Sequence, residues 1–355
     1  MTSFHPAIST NADTELSQKN LRAKVFNLSW PVLVEMLLVS LVSMADMIMV
    51  GRIGPAAIAS VGLTNQPMFF ALAIFMALNV GTTAIVARSI GAGDVATATD
   101  TAKQTFVITA LMGFLVSILA VWGAPYVLKF MNAGTDVLSI GTIYFRIVGS
   151  GLIFTTLAMS AGAVLRGSGD TRTPMRINMI ANLVNVVGNY LLIYGKFGFP
   201  QLGVAGAAIA TTFSRAIACA IFFYVLFNGE KVIRLSLKDK YKYNSALASR
   251  VFSVGSAAAM EQFVLRGGQV AFARVVATLG TSTFAAHQIG LNVLSLSFMP
   301  GQAFSTAATT LVGQGLGARN PALAEKYGYE TKRLGMYVAG FMALLFFIFA
   351  PQIAS

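Results

Sequence analysis

Two carboxylic acids stand inside a run of residues that is otherwise almost wholly apolar. Glu35 and Asp46 both lie in the stretch 25–50. On a helix their separation turns by only about 20° while climbing about 16 Å, so the two share one face. A carboxylate in hydrocarbon costs about 3 kcal/mol or more and therefore tends to face a cavity or an ion path. The chemistry open to it there is reversible binding of a proton or a cation. The structural alternatives are a hydrogen-bond partner to a neighbouring helix for Glu35 and an interfacial position near the helix end for Asp46. Asn178, Asn182, Asn185 and Asn189 follow at spacings of four, three and four residues, which puts them within about 60° of one another. Asparagines can simply glue helices together in a membrane. Four in line also make a polar stripe that can hold water, and the Asp46 carboxylate with the Asn185 and Asn189 carbonyls supplies three oxygen ligands for Na+. Thr211 is a further candidate member. A third group is Glu261, Gln262, Arg266 and Gln269. Gln262, Arg266 and Gln269 are spaced to share a helix face, with Glu261 one step aside. Cation binding by Glu261 competes with an internal ion pair to Arg266. Pro31 removes the backbone bond to the Asn27 carbonyl and so permits a bend.

The elements that must position these residues are membrane helices. Of 355 residues, 56% are apolar and 11% charged, where a soluble domain carries about a quarter charged residues. A mean hydropathy of +0.71 agrees. Candidate spans lie near 25–50, 65–87, 104–124, 137–164, 177–195, 203–227, 251–273, 284–312 and 334–350, too long for the alternating strands of an outer-membrane barrel. The expected fold class is therefore all-α, a polytopic membrane protein. Most of the 25 Lys and Arg crowd into the tail before span 1 and the loops 2/3, 4/5, 6/7 and 8/9. By the positive-inside rule the N-terminus is cytoplasmic. The net charge of +12 then reports topology and not a nucleic-acid partner, for which a basic patch on a polar domain would be needed. Cys219 is alone in an apolar run, and the only histidines are His5 and His287, so neither a metal cluster nor a Ser-His-Asp arrangement is in view. His287, at the start of span 8, reads as an interface residue before a proton relay. No Walker string stands in the polar loops, so ATP is not the evident energy source. An enzyme is not expected. Residues 1–24 lack the apolar core of a secretory signal.

Shifting the sequence by 226 residues lays spans 1–3 on spans 7–9, with Val25 on Val251, Glu35 on Glu261, Gly54 on Gly280, Gly91 on Gly317 and Ala92 on Ala318. A repeat unit of six spans enters the membrane from the same side twice, a parallel repeat as in several transporter folds. The expected organisation is a cytoplasmic tail (1–24), an N-lobe of helices 1–6 (25–227), an inter-lobe linker (228–250) and a partial C-lobe of helices 7–9 (251–355). A complete second copy would run on for about three more helices of roughly 20 residues each, so the chain is expected to be a fragment. After spans 2 and 8, Gly91 and Gly93, or Gly315 and Gly317, are expected to end a helix in the left-handed conformation. Asp94 and Asn320 then cap the next, with Pro321 at its first position.

Arg88–Asp94 (RSIGAGD), its echo Gly313–Asn320 (GQGLGARN), the 4/5 loop Leu165–Pro174 (LRGSGDTRTP), and Pro31 with Asp46 resemble the multidrug and toxic compound extrusion (MATE) transporters, in particular the bacterial NorM-like ones. The 4/5 loop is the most specific string, and the resemblance runs along essentially the whole chain. It implies two six-helix lobes around a central cavity and export of organic, mostly cationic drugs in exchange for H+ or Na+. It implies a bacterial plasma membrane, no cofactor and a monomer. By resemblance Asp46 handles the coupling ion, Asn185 and Asn189 with Thr211 complete the N-lobe ion site, Glu261 is the C-lobe cation-binding glutamate, and Pro31 is the conformational proline 15 residues before the acid. Some relatives carry Asp where Asn189 stands. The sequence departs from the family in lacking helices 10 to 12. A lipid-linked oligosaccharide flippase of the same superfamily is the alternative. Handling anionic pyrophosphate calls for excess Arg and Lys in the cavity, whereas Arg146, Arg215 and Arg266 are here balanced by the three carboxylates Glu35, Asp46 and Glu261. A non-transporting scaffold is disfavoured by the aligned polar residues.

Overall fold

The computed structural model of the chain describes residues 18–131, 133–228, 231–236, 238, 244–277 and 281–348; within helices some are described by backbone alone, Arg266 and 281–297 among them. Ten helices and no strand are present among the described residues: α1 (Gln18–Gly51), α2 (Pro55–Gly91), α3 (Val95–Phe130), α4 (Thr135–Ser150), α5 (Leu152–Gly167), α6 (Arg172–Tyr194), α7 (Val204–Phe227), α8 (Ser245–Ala277), α9 (Thr281–Gly317) and α10 (Pro321–Ile348). Five of them, α1, α2, α3, α6 and α7, are long and apolar enough to cross a membrane, or six crossings if α4 and α5 count as one bent span. The all-helical fold agrees with expectation. Pro31 lies inside α1 without dividing it.

The expected span 137–164 is broken. α4 and α5 meet at Gly151 with a bend of 44°. A broken helix in lipid exposes backbone groups that must find partners within the protein. Here two come from other helices, as Thr212 Oγ1 donates to the Ile147 carbonyl (3.1 Å) and Ser117 Oγ accepts from Ile153 N (3.1 Å), and one is local, as Ser150 Oγ donates to the Ile147 carbonyl (2.7 Å). A side chain on Gly151 would strike Thr212.

The 226-residue repeat is visible in the helices. Under that shift α2 falls on α9 end for end, and α10 begins where α3 predicts. The copies interlock: α1 packs on α6 and α9, while α2 packs on α8 and α9; the sequence neighbours α1 and α2 touch much less. At one crossing a Cβ on Gly91 would land on the backbone of Gln314, and a Cβ on Gly317 on the backbone of Arg88. Arg88 and Gln314 are themselves repeat partners, so the contact is its own mirror under a local two-fold.

One turn recurs three times. Asp94 N bonds Ser89 O, Asp170 N bonds Leu165 O, and Asn320 N bonds Gly315 O (2.9, 2.9 and 3.1 Å). The residue before each is left-handed: Gly93 (φ 73°), Gly169 (φ 94°) and Arg319 (φ 54°). The expectation is corrected here: Gly91, Gly315 and Gly317 are helical and serve close packing, and the left-handed place falls to Gly93 in the first copy and to an arginine in the second. Asp94 and Asp170 then cap their helices identically through the backbone N and the hydroxyl of Thr97 and Thr173. Asn320 caps through Leu323 N (3.0 Å). Part of the expected linker is not a free connection. Ile233 and Leu235 are buried in the core formed by α2, α3, α5, α6 and α7, and Lys231 Nζ bonds Asp170 Oδ2 (2.7 Å) and Thr173 Oγ1 (2.8 Å).

Candidate functional site

α1 and α6 lie side by side, running in the same direction at one constant offset. Asn178 Nδ2 donates to Glu35 Oε1 (2.7 Å), and Asn189 Nδ2 donates to Asp46 Oδ1 (2.5 Å). Each pair is separated by 143 residues. At the end of the seam the Tyr194 hydroxyl donates to the Met49 carbonyl (3.1 Å). The four-three-four spacing of the asparagines is matched on α1 by Glu35, Val39, Val42 and Asp46, so each carboxylate meets an amide and the two middle asparagines share the register of valines.

Around Asp46 the structure gathers most of the expected ion site. Asn182, Asn185 and Asn189 are 7%, 5% and 1% exposed. Asn185 bonds Thr211 Oγ1 on α7 (3.2 Å). Its Nδ2 is placed to donate to both Asp46 oxygens (3.2 and 3.3 Å) while its carbonyl accepts from Thr211 Oγ1 (3.2 Å). Asn189 differs from expectation, because it turns its amide nitrogen and not its carbonyl to Asp46. An uncompensated carboxylate draws donors.

At the other end, Arg166 on α5 reaches Glu35 Oε1 (3.5 Å), and its own carbonyl accepts from Thr310 Oγ1 on α9 (3.0 Å). The pair ties α1 to the meeting place of the two repeats. Arg215, one turn beyond Thr211, interacts electrostatically with both Asp46 and Glu35. Tyr144 on α4 lies within the field of Asp46. Sequence reasoning missed Arg215 and Tyr144 as site members and saw Arg166 only as part of a loop string; a charge within an apolar span, four residues from Thr211, was the available signal for Arg215. The seam is also under-satisfied: Glu35 Oε2, Asn182 Nδ2 and Asn189 Oδ1 are buried without a protein partner, each at a cost of about 1–3 kcal/mol unless water or an ion supplies one.

Glu261 is not brought to this seam. It lies on α8 in a stretch where Met260, Phe263, Val264 and Leu265 are 54–74% exposed. The side chains of Arg266 and His287 lie outside the described residues, as does the ion pair expected for Glu261. A second polar set, Thr109, Ser160 and Asn79, joins α3, α5 and α2 through bonds of 2.9 Å and serves helix packing.

Compared with known proteins, the chain matches the MatE family model over residues 31–191 and 257–355. It is 33% identical over 330 residues to a probable multidrug resistance protein NorM of Thermotoga maritima, covering 92% of this chain and 70% of that protein. Among solved structures, a transporter of the MOP superfamily from Pyrococcus furiosus, reported with a binding pocket of reverse polarity, superposes with a TM-score of 0.87 at 24% identity, covering 94% of this chain and 73% of that one. An outward-facing multidrug resistance transporter gives 0.86 at 23% identity, with coverage of 94% and 73%.

Proposed function

The chain belongs to the MATE family of multidrug efflux transporters, and from that premise we propose that it exchanges organic, mostly cationic compounds for H+ or Na+, with Asp46 as the coupling residue. It is a multi-pass membrane protein and not an enzyme. The observation that carries the coupling role is the convergence of Asn189 and Asn185, the latter tied to Thr211, on the one carboxylate of Asp46 within apolar helices. Charged, Asp46 holds a drug cation. Neutralised by a proton or by Na+, it releases that cation by competition. Asn189 completes the set, and Pro31 gives α1 a point at which neutralisation bends the helix. Glu261 is the cation-binding residue of the second repeat. The transporter works as a monomer in the bacterial plasma membrane with its N-terminus cytoplasmic. Arg166 and Arg215 each stand in the field of a carboxylate, a balance that disfavours a flippase for a lipid pyrophosphate.

The test is ethidium efflux from vesicles holding the intact transporter, with pH and sodium gradients imposed separately. Asp46→Asn abolishes efflux under whichever gradient drives the parent; normal efflux under both gradients removes Asp46 from the coupling role. Glu261→Gln lowers efflux at least tenfold at equal expression, and unchanged drug resistance returns Glu261 to a structural part.

A further inference from the structure

Between Glu35 and Asp46 the α1–α6 seam is polar on one side only. Asn182 and Asn185 stand opposite Val39 and Val42 by the offset that pairs Glu35 with Asn178 and Asp46 with Asn189. Valine offers no acceptor, so the buried Asn182 Nδ2 has none from the protein, and Asn189 Oδ1 and Glu35 Oε2 are likewise unpartnered. Of the four buried side-chain atoms without a partner among the described residues, three lie on this line; the fourth is Asn79 Nδ2. Buried water occurs where polar atoms of this kind converge and offer it two to four bonds. The spacing suits it. From Asn178 to Asn182 and from Asn182 to Asn185 the rise is about 4.5–6 Å, roughly two hydrogen-bond lengths, so one water fits in each interval, while Asn185 and Asn189 are in direct contact (3.4 Å).

We propose that this file is a hydrated proton path along the α1–α6 seam and that Glu35, through its unpartnered Oε2, is the relay at its inner end, between Asp46 and the cytoplasmic side. The proposal rests on the antiport reading above and adds the route. In each hop one O–H bond forms as another breaks, with the electron pair staying on the donor oxygen. The last hop protonates Glu35 Oε2, and the carboxylic acid then gives its proton to water on the inner side. The charged groups that face the file favour a proton over Na+: Arg166 from α5 is 3.5 Å from Glu35 Oε1, and Arg215 from α7 acts on both carboxylates. Two guanidinium ions oppose any positive charge in transit; a proton still crosses because it forms an O–H bond with a single carboxylate oxygen, whereas Na+ needs several oxygen ligands at once. Tyr144 from α4 faces the Asp46 end. Protonation of Glu35 also releases Arg166, whose backbone is bonded to Thr310 of the other repeat.

The experiment measures pH-gradient-driven ethidium efflux together with internal pH, by a trapped pyranine dye, for the intact transporter in vesicles. Glu35→Gln slows both signals at least tenfold, and Glu35→Asp restores at least half of the rate. Asn182→Leu, which alters no charge, slows them at least fivefold while the ethidium Kd of the purified protein moves less than twofold. Full-rate proton movement in Asn182→Leu overturns the path, as does a sodium gradient that alone drives efflux. Parallel loss of ethidium binding and efflux in Asn182→Leu also overturns it, since that marks a structural role. Should Glu35→Gln fail to reach the membrane, Asn182→Leu decides. If Asp46→Asn uncouples efflux while Asn182→Leu does not, the file falls and the antiport reading stands; if Asp46→Asn stays coupled, the antiport reading falls first.

Discussion

At the α5–α6 turn, Asp170 uses both carboxylate oxygens: Oδ1 accepts from Thr173 N, and Oδ2 accepts from the Thr173 hydroxyl and Lys231 Nζ. In the α1–α6 seam, built from the same short acids and amides, Glu35 bonds through one oxygen only and Asn182 and Asn189 each leave an atom unmatched. Both regions could have been completed by evolution at the level of single side chains. An unmatched buried atom costs about 1–3 kcal/mol, and the turn avoids that loss. Of the four such atoms among the described residues, three lie in the seam and one, Asn79 Nδ2, in the packing set, so the seam is where a water or an ion has the most to satisfy. It follows that seam variants should disturb transport with little effect on stability, and turn variants the reverse.

The sharpest break of that contrast is Asp46→Asn. Gradient-driven efflux should fall at least 100-fold, equivalent to about 2.7 kcal/mol in the rate, while the unfolding temperature in detergent stays level or rises, because a buried charge has been removed. A drop in unfolding temperature matching the loss of efflux would place the seam with the turns. Next comes Gly91→Ala, or its repeat partner Gly317→Ala. Each Cβ meets main-chain atoms of the facing helix and not a movable side-chain tip, so a loss of about 1–3 kcal/mol in stability is expected. An unchanged unfolding temperature would show that the two repeats can part without cost.

How much of this was legible in sequence follows from what each feature depends on. Asp46, Asn185 and Asn189 were found because a helix turns spacing into a shared face, which is local information. That Asp46 stands with Asn185 and Asn189 came from the family resemblance, but the constant offset of 143 residues that also sets Glu35 on Asn178 was not readable, since nothing in either periodicity names its register. The break at Gly151 was missed for a related reason. Hydropathy stays high through it, and the groups that satisfy the freed backbone, Ser117 and Thr212, belong to other helices. The interlocked repeats were legible as a 226-residue shift, yet which glycines turn and which pack was not, because Gly317 and Gly93 look alike until the facing backbone is in place.

A smaller effect separates the turns by pH. Burial pushes the Asp170 carboxyl up, but the bonds from Lys231 and Thr173 outweigh it and hold it below the ordinary range. The unfolded chain therefore binds the proton first as pH falls. The contribution of Asp170 is whole above about pH 3.9 and disappears as pH drops through the lower folded value. Asp170→Ala should lose about 0.5–2 kcal/mol near neutrality, a gap that stays constant from about pH 7 to 5 and closes below about pH 4. A gap that widens with acid would contradict the cap. Asp94 repeats the bonds to its threonine but has no lysine clamp, and it too is held below the usual carboxylate range, by the Thr97 hydroxyl and backbone.

The finest test exchanges the left-handed residues of two turns. Gly93 and Arg319 occupy equivalent places, at φ 73° and 54°, and a Cβ at Gly93 meets nothing within 4 Å, so backbone strain alone distinguishes them. Left-handed geometry costs a non-glycine residue about 1–2 kcal/mol. Glycine gives back about 0.5–1 kcal/mol of that through its greater freedom when unfolded. Arg319→Gly should thus stabilise by less than about 1 kcal/mol, and Gly93→Arg should destabilise by a similar amount. If the turns are copies of one device, the double exchange returns the unfolding temperature to that of the parent. A residual shift in the double variant would mean that Arg319 makes a contribution through its charge that Gly93 never had, and the likeness of the turns would end at the backbone.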